Sequence, residues 1–268
     1  MDVVFYRGEF LSARDVHISL ESRAFNYGDG FFETIKIINS LPFNFHFHMQ
    51  RIKFALNTLN IVDEYSSQFF MKKFKYLLDV NRVKNGSIKI HISRRGIGKY
   101  LPKSNNSDVL ISVLNGSKYI KNDPISLCCY DEQLKSISSL SNIKSSNSLV
   151  SVLASIYASE NNFDNSILLN NSLKIIESSN SNIFILKDEK LYTPPISDGC
   201  VDGTMRKWVL SNLNVSEKSM LKDEIFIADE IFLTNSTFGC VPVKKVDKIS
   251  FSSFSTSDSL QKMLINLG

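Results

Sequence analysis

Ile143-Lys144-Ser145-Ser146-Asn147, read together with the later run Ile176-Glu177-Ser178-Ser179-Asn180-Ser181-Asn182, is the stretch on which the reading of this chain turns. A lysine ahead of a helical pattern offers an ε-amine that can condense with a carbonyl group. A carboxylate at the end of a strand-like run offers the anion that keeps a ring nitrogen protonated. Alone, Lys144 is an ordinary solvated lysine and Glu177 a strand-end glutamate facing water. The pair gains weight from what surrounds it.

Working outward, Leu149, Val152, Leu153 and Ile156 fall at i, i+3, i+4 and i+7 after Lys144, which predicts a helix. Strands are expected at 125–130, Ser166 to Leu169, Lys174 to Glu177, Ile183 to Leu186, Leu191-Tyr192, Glu230 to Leu233 and Val241 to Val246. Gly203 to Leu213 reads as a helix. In the first half, Val3 to Ser19 looks like a hairpin turning at Arg7-Gly8-Glu9. Residues 44–60 fit a helix with Met49, Ile52, Leu56 and Leu59 on one face, and Phe70, Phe74 and Leu77 suggest another. Ile88, Ile90 and Ile92 alternate with Lys89, His91 and Ser93 as in a half-buried strand, and Asp108 to Leu114 is a further strand. The polar stretch from Asn115 to Pro124 is the natural domain link. Periodicity thus gives mixed α/β without fixing the topology.

Composition narrows the function classes. A net charge of +4, dispersed along 268 residues, is too mild for a nucleic-acid surface. No apolar run reaches the roughly 20 residues of a membrane span. Met1-Asp2-Val3-Val4-Phe5-Tyr6 has neither a basic n-region nor an apolar h-region, so no signal peptide is expected. Cys128, Cys129, Cys200 and Cys240 lack the spacing of a zinc site or a disulfide framework, which favours a reducing cytoplasm. His46 and His48 lie two apart and so on different sides of a helix, and His17 and His91 have no ligand-spaced partner; no metal is expected.

The chain resembles the class IV, fold-type IV pyridoxal phosphate (PLP) enzymes over nearly its whole length. The resemblance is carried by Tyr27-Gly28-Asp29-Gly30-Phe31-Phe32-Glu33-Thr34, His48-Met49-Gln50-Arg51-Ile52, Ser93-Arg94-Arg95-Gly96, Ile143-Lys144, Glu177 to Phe184, Thr193-Pro194-Pro195, Asp202-Gly203-Thr204-Met205-Arg206 and Asp229 to Ser236. Each motif is weak alone; their shared order is the signal. The resemblance implies a two-domain α/β (α+β) fold, with an N-terminal α/β domain over 1–116, a linker at 117–123 and a larger PLP-binding domain with a barrel-like sheet over 124–268. It also implies the cofactor in the cleft between domains, and a homodimer.

By the same resemblance Lys144 is the Schiff-base lysine and moves the proton at the substrate's amine-bearing carbon, while Glu177 partners the pyridine nitrogen. Arg51, Gly203, Thr204 and Ser236 are the expected phosphate ligands; Gly203-Thr204 opens a helix, whose first N–H groups suit an anion. Phe32 and Thr34 share one face of a strand, and Lys99, near where relatives often carry an arginine, is the expected substrate-carboxylate contact. Met205 stands where many relatives have threonine, so one hydroxyl is lost. The short length, Thr34, and Gly203-Thr204-Met205-Arg206 favour 4-amino-4-deoxychorismate lyase, which forms 4-aminobenzoate and pyruvate for folate synthesis. The alternatives are a class IV aminotransferase on branched-chain L- or on D-amino acids, and a non-catalytic protein that kept the fold.

Overall fold

The structure is a computed structural model that describes residues 2–267. It divides into two compact units, one formed by residues through Lys118 together with Ile143–Asn147, the other by Tyr119–Asn142 and the residues from Ser148 onward. The segment bearing Lys144 therefore groups with the first unit, whereas the chain on either side of it belongs to the second.

In the first unit, β1 (Val3–Tyr6) and β2 (Glu9–Ser12) form a hairpin. Arg7 and Gly8 turn it with φ of 50° and 97°, the left-handed pair that matches strand twist. The expected hairpin ran to Ser19, but β2 stops at Ser12, whose hydroxyl accepts from the Arg14 N–H and starts a short 3₁₀ turn. There follow α1 (Arg23–Tyr27), β3 (Gly30–Ile38), β4 (Leu41–Pro42), α2 (Phe45–Thr58), α3 (Ser67–Val80), β5 (Gly86–Arg94) and β6 (Ser107–Asn115). The six strands make an antiparallel sheet in the order β2-β1-β6-β5-β3-β4. Its inner face carries Ile35, Ile37, Ile88 and Ile90, which share one core with Ile52 and Leu56 of α2 and Phe70 and Phe74 of α3. Alternation then puts Phe32, Thr34, Lys89 and His91 on the opposite face.

The second unit contains β7 (Ile125–Lys135), α4 (Leu149–Glu160), β8 (Asn165–Asn170), β9 (Lys174–Ser178), β10 (Asn182–Lys187), β11 (Lys190–Thr193) and α5 (Thr204–Asn212). It continues through β12 (Val215–Glu217), β13 (Met220–Leu221), β14 (Glu230–Asn235), β15 (Gly239–Val246), β16 (Ile249–Ser250) and α6 (Ser255–Ile265). Ten strands form one curled, half-barrel sheet in the order β12-β11-β10-β14-β15-β7-β8-β9-β13, with β16 on β15. Parallel β7 and β8 are joined through α4, the crossover such a pair requires. Leu127, Ile167, Ile183, Ile231, Leu233 and Val243 fill the core.

Two features depart from simple periodicity. On α4 the buried residues are Ala154 and Ala158, while Leu149, Val152, Leu153 and Ile156 are 69%, 49%, 45% and 48% exposed. The stripe that predicted the helix does not face the sheet; close packing over β7 and β8 takes the small side chains instead. The stretch 117–123 is firmly held as well. Tyr119 is buried and donates its hydroxyl to the Ser236 carbonyl (3.0 Å), and Asn122 Nδ2 donates to the carbonyls of Phe238 (3.0 Å) and Cys240 (2.6 Å).

Candidate active site

In the first unit, Lys144 lies on a short extended segment that adds to β3. The Phe32 N–H donates to the Lys144 carbonyl and the Ser146 N–H to the Gly30 carbonyl, both at 3.0 Å. Gly30 also lets β5 approach closely: a Cβ there would press on the Ile92 carbonyl and Ser93. The half-buried Lys144 ammonium sits 4.6 Å from the Phe32 ring centroid. Register pairs Phe32 with His91, Thr34 with Lys89 and Lys36 with Ser87 across β3 and β5. The His91 ring stacks on Phe32 (5.8 Å between centroids), and Lys89 Nζ is 5.2 Å from the same ring. Burial, then the Lys89 charge, push the His91 pKa down, and burial pushes that of Lys36 down. Lys144, Phe32 and Thr34 are thus brought together, with Lys89 and His91 as company the sequence did not announce.

Arg51 is buried on α2, bonded to Glu33 of β3 through Nε to Oε1 and Nη2 to Oε2, both 2.7 Å. His48, one turn earlier on the same helix, sets Nδ1 2.6 Å from Glu33 Oε2. Burial alone would raise the Glu33 pKa, but Arg51 and then His48 outweigh it and hold it at about 2. Burial lowers the His48 pKa against the pull of Glu33, so the imidazole stays neutral beside the two cations Arg51 and Lys144. Sequence reasoning missed this cluster because it compared His48 with His46; the spacing that mattered was i, i+3 to Arg51. Lys99 is on the exposed loop after β5, where Arg23 donates to the carbonyls of Gly98, Lys99 and Tyr100.

In the second unit, Glu177 is 5% exposed near the end of β9. One oxygen pairs with the Lys135 ammonium and the other accepts the Val201 N–H at 2.8 Å. Asn182 Nδ2 donates to the Val201 carbonyl (2.9 Å), so Glu177, Asn182 and the 201–204 run form one connected group. Gly203 caps α5 with no side-chain cap bond, and Thr204, 3% exposed, is its first residue. A Cβ on Gly203 would collide with the Asn182 amide oxygen. Opposite Asn182 across β10 and β14 lies Thr234, whose buried hydroxyl has no partner among the described residues. Met205, where a hydroxyl was expected to be lost, is buried with its sulfur 3.9 Å from the Tyr119 hydroxyl. Ser236 is half-buried in the β14–β15 turn.

These residues fit a phosphorylated pyridine aldehyde. The first unit offers an amine beside an aromatic face; the second offers a buried carboxylate in contact with a cation, an uncapped helix start, and an orphaned buried hydroxyl able to serve an anion. Residues 30–246 match the family described as amino-transferase class IV.

The chain belongs to that family.

Members of the class IV family are PLP-dependent transaminases or lyases. Similar relatives include a D-alanine aminotransferase of Bacillus licheniformis, 26% identical over 91% of this chain and 88% of its own length. An aminodeoxychorismate lyase of Vibrio harveyi is 29% identical over 88% of this chain and 91% of its own. The branched-chain aminotransferase of Thermoproteus uzoniensis shares the fold, with a TM-score of 0.91 at 22% identity, covering 98% of this chain and 93% of that one.

Proposed function

We propose that this class IV enzyme acts at the amine-bearing carbon of 4-amino-4-deoxychorismate, leaving 4-aminobenzoate and releasing pyruvate for folate synthesis. The observation that carries the reading is the β3–β5 face, where the ammonium groups of Lys89 and Lys144 flank the Phe32 ring and His91 stacks on it. A ring-bearing dicarboxylate suits cations around an aromatic platform. A branched aliphatic side chain would strip water from those ammonium groups with nothing in return.

Bound PLP supplies an electron-accepting ring to the amine it holds. Lys144 would hold the cofactor through its aldehyde and, with its amine free, would take the proton from the amine-bearing carbon. The electron pair of that C–H bond would move into the substrate ring as the C–O bond breaks, the oxygen leaving with its own pair as enolpyruvate, which takes up a proton to give pyruvate. Glu177 would accept the ring N–H. Arg51, held in its orientation by Glu33 and His48, would serve the phosphate, a role also assigned to Gly203, Thr204 and Ser236. Phe32 and Thr34 line the substrate with Lys89 and His91, and Lys99 meets an outer carboxylate.

The exposed stripe Leu149, Val152, Leu153, Ile156 supports a homodimer, since a contiguous apolar patch of this kind marks an interaction surface. Four buried free thiols support a reducing cytoplasm. I156E is expected to convert a sedimenting dimer into a monomer; unchanged sedimentation removes α4 from the interface. The decisive assay measures 4-aminobenzoate release from aminodeoxychorismate against oxo-acid formation from a panel of L- and D-amino acids. Brisk turnover of amino acids with none of aminodeoxychorismate overturns the lyase reading in favour of a transaminase.

A further inference from the structure

Lys135 has no part in the roles assigned so far, yet it is the cation in contact with Glu177. It is the last residue of β7, and its side chain is 20% exposed against 7% for that of Glu177. Its ammonium also donates to the Ser141 carbonyl at 3.2 Å. The turn after β7 is folded to deliver that carbonyl: Ser141 Oγ donates to the Ser136 carbonyl and accepts from the Ser138 N–H (3.1 Å). Lys135 is therefore fixed from two sides, and the Glu177 carboxylate is fixed between Lys135 and the Val201 N–H.

The other charges nearby are committed elsewhere. Arg206 bonds Glu217 and the Pro194 carbonyl (2.9 Å), and Asp202 pairs with Lys207 at 2.7 Å. The Cys200 thiol is pushed up to about 12, first by burial and then by Glu177, and stays neutral. Among the described residues, Lys135 is thus the only cation in contact with Glu177.

A proton shared by a carboxylate and a pyridine nitrogen rests on whichever is more basic. A buried carboxylate lacking a counter-ion becomes more basic; an ammonium in contact makes it less so. We propose that Lys135 is a positioning residue that decides where this proton rests: by holding Glu177 as an aimed carboxylate, it leaves the proton on the cofactor ring and keeps the ring an electron sink. The inference relies on the assignment of Glu177 to the ring nitrogen made above.

The test loads wild type, K135M, K135R and E177Q with PLP labelled with ¹⁵N in the ring and reads the nitrogen's chemical shift, with cofactor binding followed by absorbance. Wild type and K135R are expected to show a protonated nitrogen. K135M is expected to move toward the unprotonated shift shown by E177Q, and its kcat to fall about tenfold for each unit of altered basicity, with KM little changed. A K135M protein that binds PLP with the wild-type shift overturns the proposal, even if less heat-stable, because a merely structural role would change stability alone. If K135M does not fold, K135Q and a ¹³C titration of the Glu177 carboxylate in cofactor-free protein decide, the titration point moving upward in the variant or the idea failing. Wild type that binds no PLP, or carries it elsewhere than on Lys144 after borohydride reduction, sinks the functional reading instead.

Discussion

Glu33 and Glu177 are both buried glutamates on β-strands, and both carry an ion pair, yet they are built for different work. Glu33 takes two guanidinium N–H groups and an imidazole nitrogen, three partners on one carboxylate. Glu177 takes one ammonium and one backbone N–H. An ionised carboxylate has about four acceptor positions, so Glu33 is nearly saturated by its own fold whereas Glu177 keeps acceptor capacity for a ligand. The comparison separates a carboxylate that holds an arginine in place from one that waits for a donor.

Stability should register the difference most strongly. E33Q leaves Arg51 as an uncompensated buried cation and is expected to cost about 3–5 kcal/mol in denaturant unfolding. E177Q, whose partner reaches water, should cost clearly less; equal losses would erase the distinction. Catalysis should rank the second carboxylate higher. E177Q is expected to lower kcat by roughly 100-fold or more while retaining a wild-type far-UV spectrum, the size of effect a proton-holding group exerts. Wild-type turnover in E177Q would break the comparison outright.

Acid titration sharpens the Glu33 side. The folded state holds His48 below its usual 6.5, so the unfolded chain binds the extra proton and stability falls as pH drops below about 6.5. Glu33, depressed from 4.5 to about 2, contributes fully above 4.5 and loses its contribution as pH falls toward 2. Urea midpoints across pH 7.5 to 3 should show both phases, and H48N should shrink the upper one, leaving the part that His91 contributes. The smallest effect is expected at Gly203. G203A displaces Asn182, which holds the Val201 carbonyl and through that residue's N–H the Glu177 carboxylate. A loss of about 1 kcal/mol in PLP affinity is expected, roughly fivefold, and unchanged affinity would uncouple Asn182 from Glu177.

The fold was readable where period and composition agreed. The Ile88/Ile90/Ile92 alternation became β5, and Met49, Ile52 and Leu56 became the buried side of α2. It was misread where packing asked for size rather than greasiness: α4 offers alanines to the sheet and leaves its large aliphatics outside. The C-terminal α6 went unnoticed behind its serines, though Leu260 and Leu264 bury one side of it. At the site, the motif residues stood out by kind, but their helpers did not. Lys135 and Glu177 are brought together only because β7, β8 and β9 are neighbours, and no local spacing encodes that. Glu33, the one charge on the face of β3 that otherwise carries Phe31, Ile35 and Ile37, was a legible clue passed over.

The segment bearing Lys144 is moored by main-chain bonds, from the Phe32 N–H to the Lys144 carbonyl and from the Ser146 N–H to the Gly30 carbonyl, which no side-chain exchange on β5 touches. Positions 89 and 91 can therefore be randomised together in a selection for new amines, with the anchoring amine left where it stands. On the role proposed for Lys144, a strand that can be redecorated beside a fixed amine is a route by which one scaffold comes to serve several chemistries.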